Sequence, residues 1–336
     1  MRWLRILQRV LLAVPVALGV AVLAFFSLRL LPGDPVQIML GDTNTSAAVI
    51  RSVQHELHLD QPLHVQLLLF FGGLAHGDLG TSIVQHRPVA ALIGDALPAT
   101  VELTAATIVI AVLIAVPLGL VSALRPRSWI DRTVLSTSLL GASMPAFWFG
   151  LLLILFLAVN ARVLPTSGQI DPAIGVRPVT GLLILDSLLA GDVAALRSVL
   201  LHLLLPALTL GVVFAAVLAR TIRSSMIEAL HRQYVTTARA KGLPETAVVI
   251  KHALRNALIP AITVAGLQIG ELLGGNMIVE TVFGWPGVGR LVVNSIFARD
   301  YVVVQAAVML YAITYVTANL AVDVAYTFLD PQLELS

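Results

Sequence analysis

The sequence predicts an all-α membrane protein with six transmembrane helices and both termini in the cytoplasm. Hydrophobic residues make up 58% of the chain and charged residues only 12%, about half the charged share of an ordinary soluble domain. Six apolar runs are long enough to cross about 30 Å of hydrocarbon. Arginine and lysine gather between alternate runs, as the positive-inside rule expects. An ordinary soluble domain is therefore excluded.

The first predicted span covers residues 10–28, directly after the cations Arg2, Arg5 and Arg9. This run is too long for the apolar region of a signal peptide, and no small-residue cleavage site follows it. We therefore expect an uncleaved first span. Five further spans are predicted at residues 99–124, 133–159, 199–219, 258–283 and 302–328.

The orientation of the chain in the membrane follows from the distribution of positive charge among its loops. The N-terminus, the turn at residues 125–132 and the segment 220–255 hold thirteen Arg and Lys residues, whereas three segments on the other side, which together are much longer, hold seven. Cytoplasmic loops carry the excess of these cations. The long segments, including residues 160–198, therefore lie outside, where we expect 160–198 to form either an ordered cap or a plain connecting loop.

Other site classes find little support in the sequence. The basic residues lie in short loops beside apolar runs, so the pI of about 9.2 does not indicate nucleic-acid binding. The chain has no cysteine, which excludes disulfides and thiolate metal sites. His55 and His58 are not at the zincin spacing, and we predict no metal site.

Residues 220–260 form a charged segment between two apolar runs. Apolar residues at three- and four-residue steps predict one helical stripe, comprising Met226, Ile227, Leu230, Tyr234 and Ala238. Gly242 suits a left-handed helix end, and Pro244 suits the first turn of a second helix. Glu228 and Arg232 form a favourable i,i+4 pair. The pattern predicts a helix, a sharp corner and a second helix.

The string from Tyr234 to Leu243, followed by His252 to Asn256, resembles the EAA loop of bacterial ABC importer permeases, particularly those for peptides and nickel. The Glu-Ala-Ala…Gly positions of this motif are occupied here by Thr236, Thr237, Ala238 and Gly242. Two of the four residues, Ala238 and Gly242, agree with the general form of the motif. The resemblance implies a type I ABC importer transmembrane fold and a coupling helix seated in a cytoplasmic ATPase; the alternative is a solvated basic loop. The implied coupling residues are Thr236, Thr237, Ala238, Arg239, Lys241, Gly242, Leu243, His252, Arg255 and Asn256.

Further strings resemble the same family, among them residues 32–35, 57–63, 77–82 and 282–289, with Glu280 just before the last. The resemblance covers nearly the whole chain. It divides the chain into a first helix with a periplasmic segment at 1–97 and a five-helix permease core at 98–330, with the coupling loop at 220–260.

The fifth predicted span carries a strip of small residues, since Gly266, Gly270 and Gly274 recur every fourth residue and allow a helix to approach closely. Glu271, near the middle of this run, is costly there unless it faces water or a partner. We expect it to border a translocation path or to pair with a second subunit. Other candidate path residues are Gln268, Asn276, Phe147 and Trp148, although the two aromatics after Pro145 fit helix packing better.

The resemblance implies a permease subunit that imports di- or oligopeptides across the inner membrane. It also implies a paralogous permease as heterodimer partner, one or two ATPase subunits and an external substrate-binding protein. The sequence shows no phosphate-binding loop, so we expect no cofactor in this chain, with ATP and magnesium bound by the ATPases. Alternatives are an importer of glutathione, haem or a nickel chelate, an intramembrane enzyme, and a passive channel.

Overall fold

The computed structural model describes residues 2–29, 47–56 and 59–329 and is built of helices, with one isolated bridge between Thr81 and Pro88 in these ranges. The string at residues 32–35 lies outside the described residues, as do the first two residues of the string at 57–63 and the chain from residue 330 onward. In chain order the helices are α1 (Arg2–Arg29), α2 (Ala47–Glu56), α3 (Leu63–Ala75), α4 (Val89–Leu124), α5 (Trp129–Ser143), α6 (Ala146–Leu153), α7 (Leu183–Leu189), α8 (Val193–Leu230), α9 (Gln233–Ala240), α10 (Glu245–Leu273), α11 (Met277–Val282), α12 (Val288–Phe297) and α13 (Tyr301–Leu329).

Four of these helices are long and apolar enough to cross a membrane: α4, α8, α10 and the part of α13 up to Val322. Helices α5 and α6, the latter continued by a π-helical stretch at Ile154–Asn160, form a sharply bent pair that could count as a fifth span. Within the fully described part of α1, Val14–Phe26 counts as a shorter apolar helix. The protein is thus an all-helical, multi-pass membrane protein, and the count of six spans stays a prediction.

The centre of the bundle is the long contact between α4 and α8. Small residues let the two helices approach closely, since a Cβ on Gly211 would lie 2.7 Å from Ile110 and one on Gly119 would lie 2.9 Å from the α8 backbone at Ala219. Helix α10 packs beside this pair and against α13. Helices α1 and α3 lie outside it, with Ala21, Ala24 and Met309 packed against the apolar side of α3.

Two predicted spans are interrupted. The run at residues 133–159 breaks at Met144, and Pro145 precedes α6 instead of bending one continuous helix. The run at 258–283 ends at Leu273, where Gly275 takes a left-handed conformation (φ +96°) and α11 follows as a separate short helix. Proline and glycine cause both breaks, which a count of apolar residues does not detect.

Other helices are longer than the apolar runs predict. Helix α8 extends the predicted span 199–219 in both directions, and its N-terminus is capped by the Asp192 carboxylate, which accepts the Ala195 N–H at 2.9 Å. Helix α4 begins ten residues before the predicted span at 99–124. The predicted division at residues 97/98 therefore falls inside a helix.

Candidate functional site

The segment that resembles a coupling loop forms a helical elbow, defined here as residues 231–254, between α8 and the body of α10. Helix α8 ends at Leu230, and Arg232 is extended before α9 begins. The prediction of one apolar stripe on one helix is therefore wrong, because this break resets the helical register. Val235 and Ala238 point inward, whereas Tyr234 is 38% exposed. The predicted Glu228–Arg232 ion pair is formed on the surface.

Helix α9 is fixed by its inner side. Val235 is fully buried and Ala238 nearly so, and both belong to a cluster that joins the ends of α4, α8 and α10. We call this cluster the elbow core; it comprises Ala123, Met226, Ala229, Val235, Ala238, Val248, Val249, Ala253 and Ala257. Because apolar burial stabilises this contact, a displacement of α9 would be passed to the three long helices.

Gly242 makes the corner, as predicted, with φ +75°. The Gly242 N–H donates to the Arg239 carbonyl at 2.9 Å and the Leu243 N–H to the Ala238 carbonyl at 3.4 Å, which is the Schellman pattern of a helix C-terminus. Pro244 stands just before α10. Across the corner, the Arg239 guanidinium donates to the Glu245 carboxylate at 2.6 and 3.1 Å.

The outer side of the elbow is open. Thr236, Thr237, Arg239, Lys241, Gly242 and Leu243 are exposed, as are Arg255 and Asn256, whereas His252 is half-buried and Ala238 is buried. Ala238 thus anchors the helix from within. The remaining residues present a polar, basic surface on a short helix whose underside is fixed, which is an arrangement suited to contact with another protein.

The predicted path residues do not form one cluster. The Gln268 side-chain amide donates to the Glu271 carboxylate at 3.0 Å, and Glu271 is exposed in the single chain. Because α10 ends at Leu273, Glu271 lies close to the end of this helix, whereas the sequence analysis placed it near the middle of one continuous run. Phe147 and Trp148 are partly exposed on α6, which packs against α8 and α11.

Asn276 does not project from α10 but caps α11. Its side-chain oxygen accepts the Val279 N–H at 3.1 Å. The three glycines of α10, in contrast, lie along α13: a Cβ on Gly266 would lie 1.7 Å from Val322, one on Gly270 would lie 2.9 Å from Ala318, and one on Gly274 would lie 1.8 Å from Tyr311. The strip therefore meets a helix of the same chain.

A buried polar network at the other end of α4 was missed by the sequence analysis. Glu280 is fully buried and accepts hydrogen bonds from the Thr100 hydroxyl at 3.1 Å and the Arg290 N–H at 3.0 Å. Burial raises the pKa of Glu280, although these hydrogen bonds oppose the shift. The Thr100 hydroxyl oxygen also accepts the Val288 N–H at 2.9 Å, and the Trp285 indole donates to the Ala99 carbonyl at 2.8 Å. The network fixes the loop before α12 to α4.

The segment at residues 160–198 is ordered, as one of the two predicted alternatives requires. The buried Asp186 carboxylate accepts the backbone N–H groups of Val179, Thr180 and Gly181 at 2.8 to 3.1 Å. Burial alone would raise the pKa of Asp186, but these hydrogen bonds and that of the Thr180 hydroxyl outweigh it and lower the pKa. Glu102 on α4 accepts the Ile184 N–H at 2.7 Å, which attaches the segment to the bundle.

Comparisons with known proteins agree with this architecture. The family model described as "Binding-protein-dependent transport system inner membrane component" matches residues 115–335, and the model of the N-terminal part of such membrane components matches residues 2–104. The chain is 41% identical to the "Di/tripeptide transport system permease protein DppB" of Pseudomonas aeruginosa (strain UCBPP-PA14), over 98% of both chains.

Two further relatives extend the range of named substrates. The chain is 43% identical to the "Probable D,D-dipeptide transport system permease protein DdpB" of Escherichia coli (strain K12), over 98% of this chain and 97% of that protein. It is 42% identical to the "Glutathione transport system permease protein GsiC" of Salmonella choleraesuis (strain SC-B67), over 98% of both chains. The matched 98% of the chain is too much to leave out the elbow, the glycine strip or the buried network as a whole.

Proposed function

Because this chain belongs to the family of inner membrane components of binding-protein-dependent transport systems, we propose that it is the permease subunit of an ATP-driven importer of di- or oligopeptides. The observation that carries the substrate class is full-length identity of about 40% to permeases named for dipeptides. A glutathione importer is the second candidate, favoured by the equally similar glutathione permease.

The elbow supports an ATP-driven mechanism. Its outer surface is polar and exposed while its underside is packed on the ends of α4, α8 and α10. A cytoplasmic ATPase that closes on ATP and magnesium would push on α9, and the elbow core would pass the displacement to the helices of the path. Such a mechanism is a two-state switch in which a partner changes the populations of outward-open and inward-open forms.

The same proposal names the partners. One or two ATPase subunits bind α9 on the cytoplasmic side and also bind ATP and magnesium. A paralogous permease completes the path, and an external substrate-binding protein delivers the peptide. The ordered segment at residues 160–198 and the loop fixed by Glu280 offer that protein a stable surface. With six spans and both termini in the cytoplasm, the elbow lies inside and these segments outside.

Gln268 and Glu271 belong to the outer part of the path in this proposal. A carboxylate exposed on α10 needs water or a polar partner, and it attracts the protonated amine of a peptide. Packing against the second permease subunit is the competing role for this pair. Phe147 and Trp148, at the start of α6, are placed in the path on weaker grounds, because their exposure in a single chain also fits contact with lipid or a partner.

The test is uptake by the assembled importer in proteoliposomes. We expect accumulation of a radiolabelled dipeptide that requires ATP, the ATPase subunits and the binding protein together. A non-hydrolysable ATP analogue is the control and should abolish accumulation. Flux without nucleotide would indicate a passive channel, chemical conversion of the peptide would indicate an enzyme, and uptake of glutathione but not dipeptides would favour the second candidate.

A further inference from the structure

A buried ion pair lies two helical turns before the elbow. Asp131, in the first turn of α5, is only 2% exposed. The guanidinium of Arg223 on α8 donates to it with two nitrogens, Nη2 to Oδ2 at 2.8 Å and Nε to Oδ1 at 2.5 Å. This bidentate geometry is the strongest and most directional that arginine and a carboxylate can adopt.

The same carboxylate holds two further groups. The Ser122 hydroxyl on α4 donates to Oδ1 at 2.5 Å, and the Arg127 N–H in the turn between α4 and α5 donates to Oδ2 at 2.8 Å. Ser128 caps α5 by accepting the Asp131 N–H at 3.2 Å. One side chain thus joins α4, the turn, α5 and α8, and we call this arrangement the Asp131 clamp.

The clamp lies directly beside the elbow core. Ser122 precedes Ala123, which belongs to that core, and Arg223 stands about one turn before Met226, which belongs to it as well. From the elbow, a displacement reaches α4 and α8 through apolar contacts. Helix α5 packs mainly against α8 and also against α4, and the clamp adds a directional polar link to these contacts at the end near the elbow.

We propose that Asp131 is a positioning residue of the transport cycle, which fastens the α4–α5 turn to α8 so that movement of the elbow carries α5 with it. This inference rests on the proposed function. The clamp is suited to this role because a bidentate buried pair fixes one relative orientation of two helices, whereas apolar contacts allow sliding. Removing one partner of a buried pair also destabilises a protein, because the other charge is left uncompensated, so the effect on coupling is measured as the ratio of transport to ATP hydrolysis in assembled protein.

The test compares Asp131→Asn with Asp95→Asn in the assembled importer. Asp95 forms an exposed ion pair with Arg87 at 2.8 Å on the same helix as Ser122 but at its other end, and it is the matched control. For each variant, dipeptide uptake and ATP hydrolysis are measured in the same proteoliposomes. We expect Asp131→Asn to lower the number of peptides accumulated per ATP by about fivefold or more, with Asp95→Asn unchanged.

A double-mutant cycle with Arg223→Gln, read on the same ratio of uptake to hydrolysis, tests whether the two residues act through their ion pair: the double variant should lose little beyond either single variant. An unchanged ratio of uptake to hydrolysis in Asp131→Asn would overturn the inference, provided the wild type shows ATP-dependent uptake. Absence of wild-type uptake would instead contradict the proposed function. If Asp131→Asn does not assemble, Arg223→Lys keeps the charge opposite Asp131 but cannot donate to it in the same bidentate way, and a ratio equal to that of the wild type would then overturn the inference.

Discussion

At the residue scale, glycine decides how closely α10 approaches α13. The Gly266 Cα faces the buried side chain of Val322, and an added Cβ would lie 1.7 Å from its Cγ2 atom. A β-branched side chain has few alternative rotamers in a helix, so the two helices would have to separate. Gly94 on α4 is the opposite case, because nothing lies within 4 Å of an added Cβ.

We therefore predict that Gly266→Ala destabilises the protein by about 1–3 kcal/mol, the usual cost of overpacking. Gly94→Ala is the matched control and should be neutral or stabilising by up to about 1 kcal/mol, because alanine is the better helix former. Thermal unfolding in detergent measures both. Equal midpoints for the two variants would contradict the close packing of α10 on α13.

Residue-scale features were predictable where the signal is local. The spacing of Gly266, Gly270 and Gly274 shows in the sequence, as does Gly242 after a helical stretch. Thr100 gives no such signal, because its partners Glu280 and Val288 are about 180 positions away in the chain. The pairing of Asp131 with Arg223 is hidden in the same way, because the two residues are 92 positions apart in the chain.

At the element scale, the breaks between helices decide where side chains lie. Asn276 ends the gap after α10 by capping α11, a role that Ser can fill and Ala cannot. We predict that Asn276→Ala lowers the free energy of unfolding by about 1 kcal/mol. Asn276→Ser should keep most of the stability that the cap provides. Thermal unfolding of both variants checks the cap. A loss of peptide uptake in Asn276→Ser at wild-type stability would instead restore Asn276 to the path.

Element boundaries were the weaker part of the sequence analysis for a physical reason. Apolar composition reports which residues avoid water, and it continues unchanged across Met144 and Gly274 even though the backbone turns there. The break at His231–Arg232 was missed because the helical period of apolar residues continues by coincidence into α9. Only the contact of Val235 and Ala238 with α10 fixes the true register.

At the scale of the whole molecule, α4 joins the two functional regions. Its first turns hold the Glu280 network and the attachment of residues 160–198, and its last turns hold the Asp131 clamp and the elbow core. Composition and charge predicted a multi-pass helical protein, and a string of residues predicted the family. The orientation of the termini stays a prediction, because charge bias indicates it but the fold of one chain does not test it.

The central claim is that the exposed side of α9 contacts a separate ATPase. The chain has no cysteine, so Thr237→Cys gives this chain a single attachment point for a short photo-crosslinker, which is attached before assembly with the other subunits. We predict a crosslink to the ATPase subunit, and none from Val179→Cys, which is also exposed but lies in the segment predicted to be outside. A crosslink to the ATPase from Val179→Cys and none from Thr237→Cys would contradict the account.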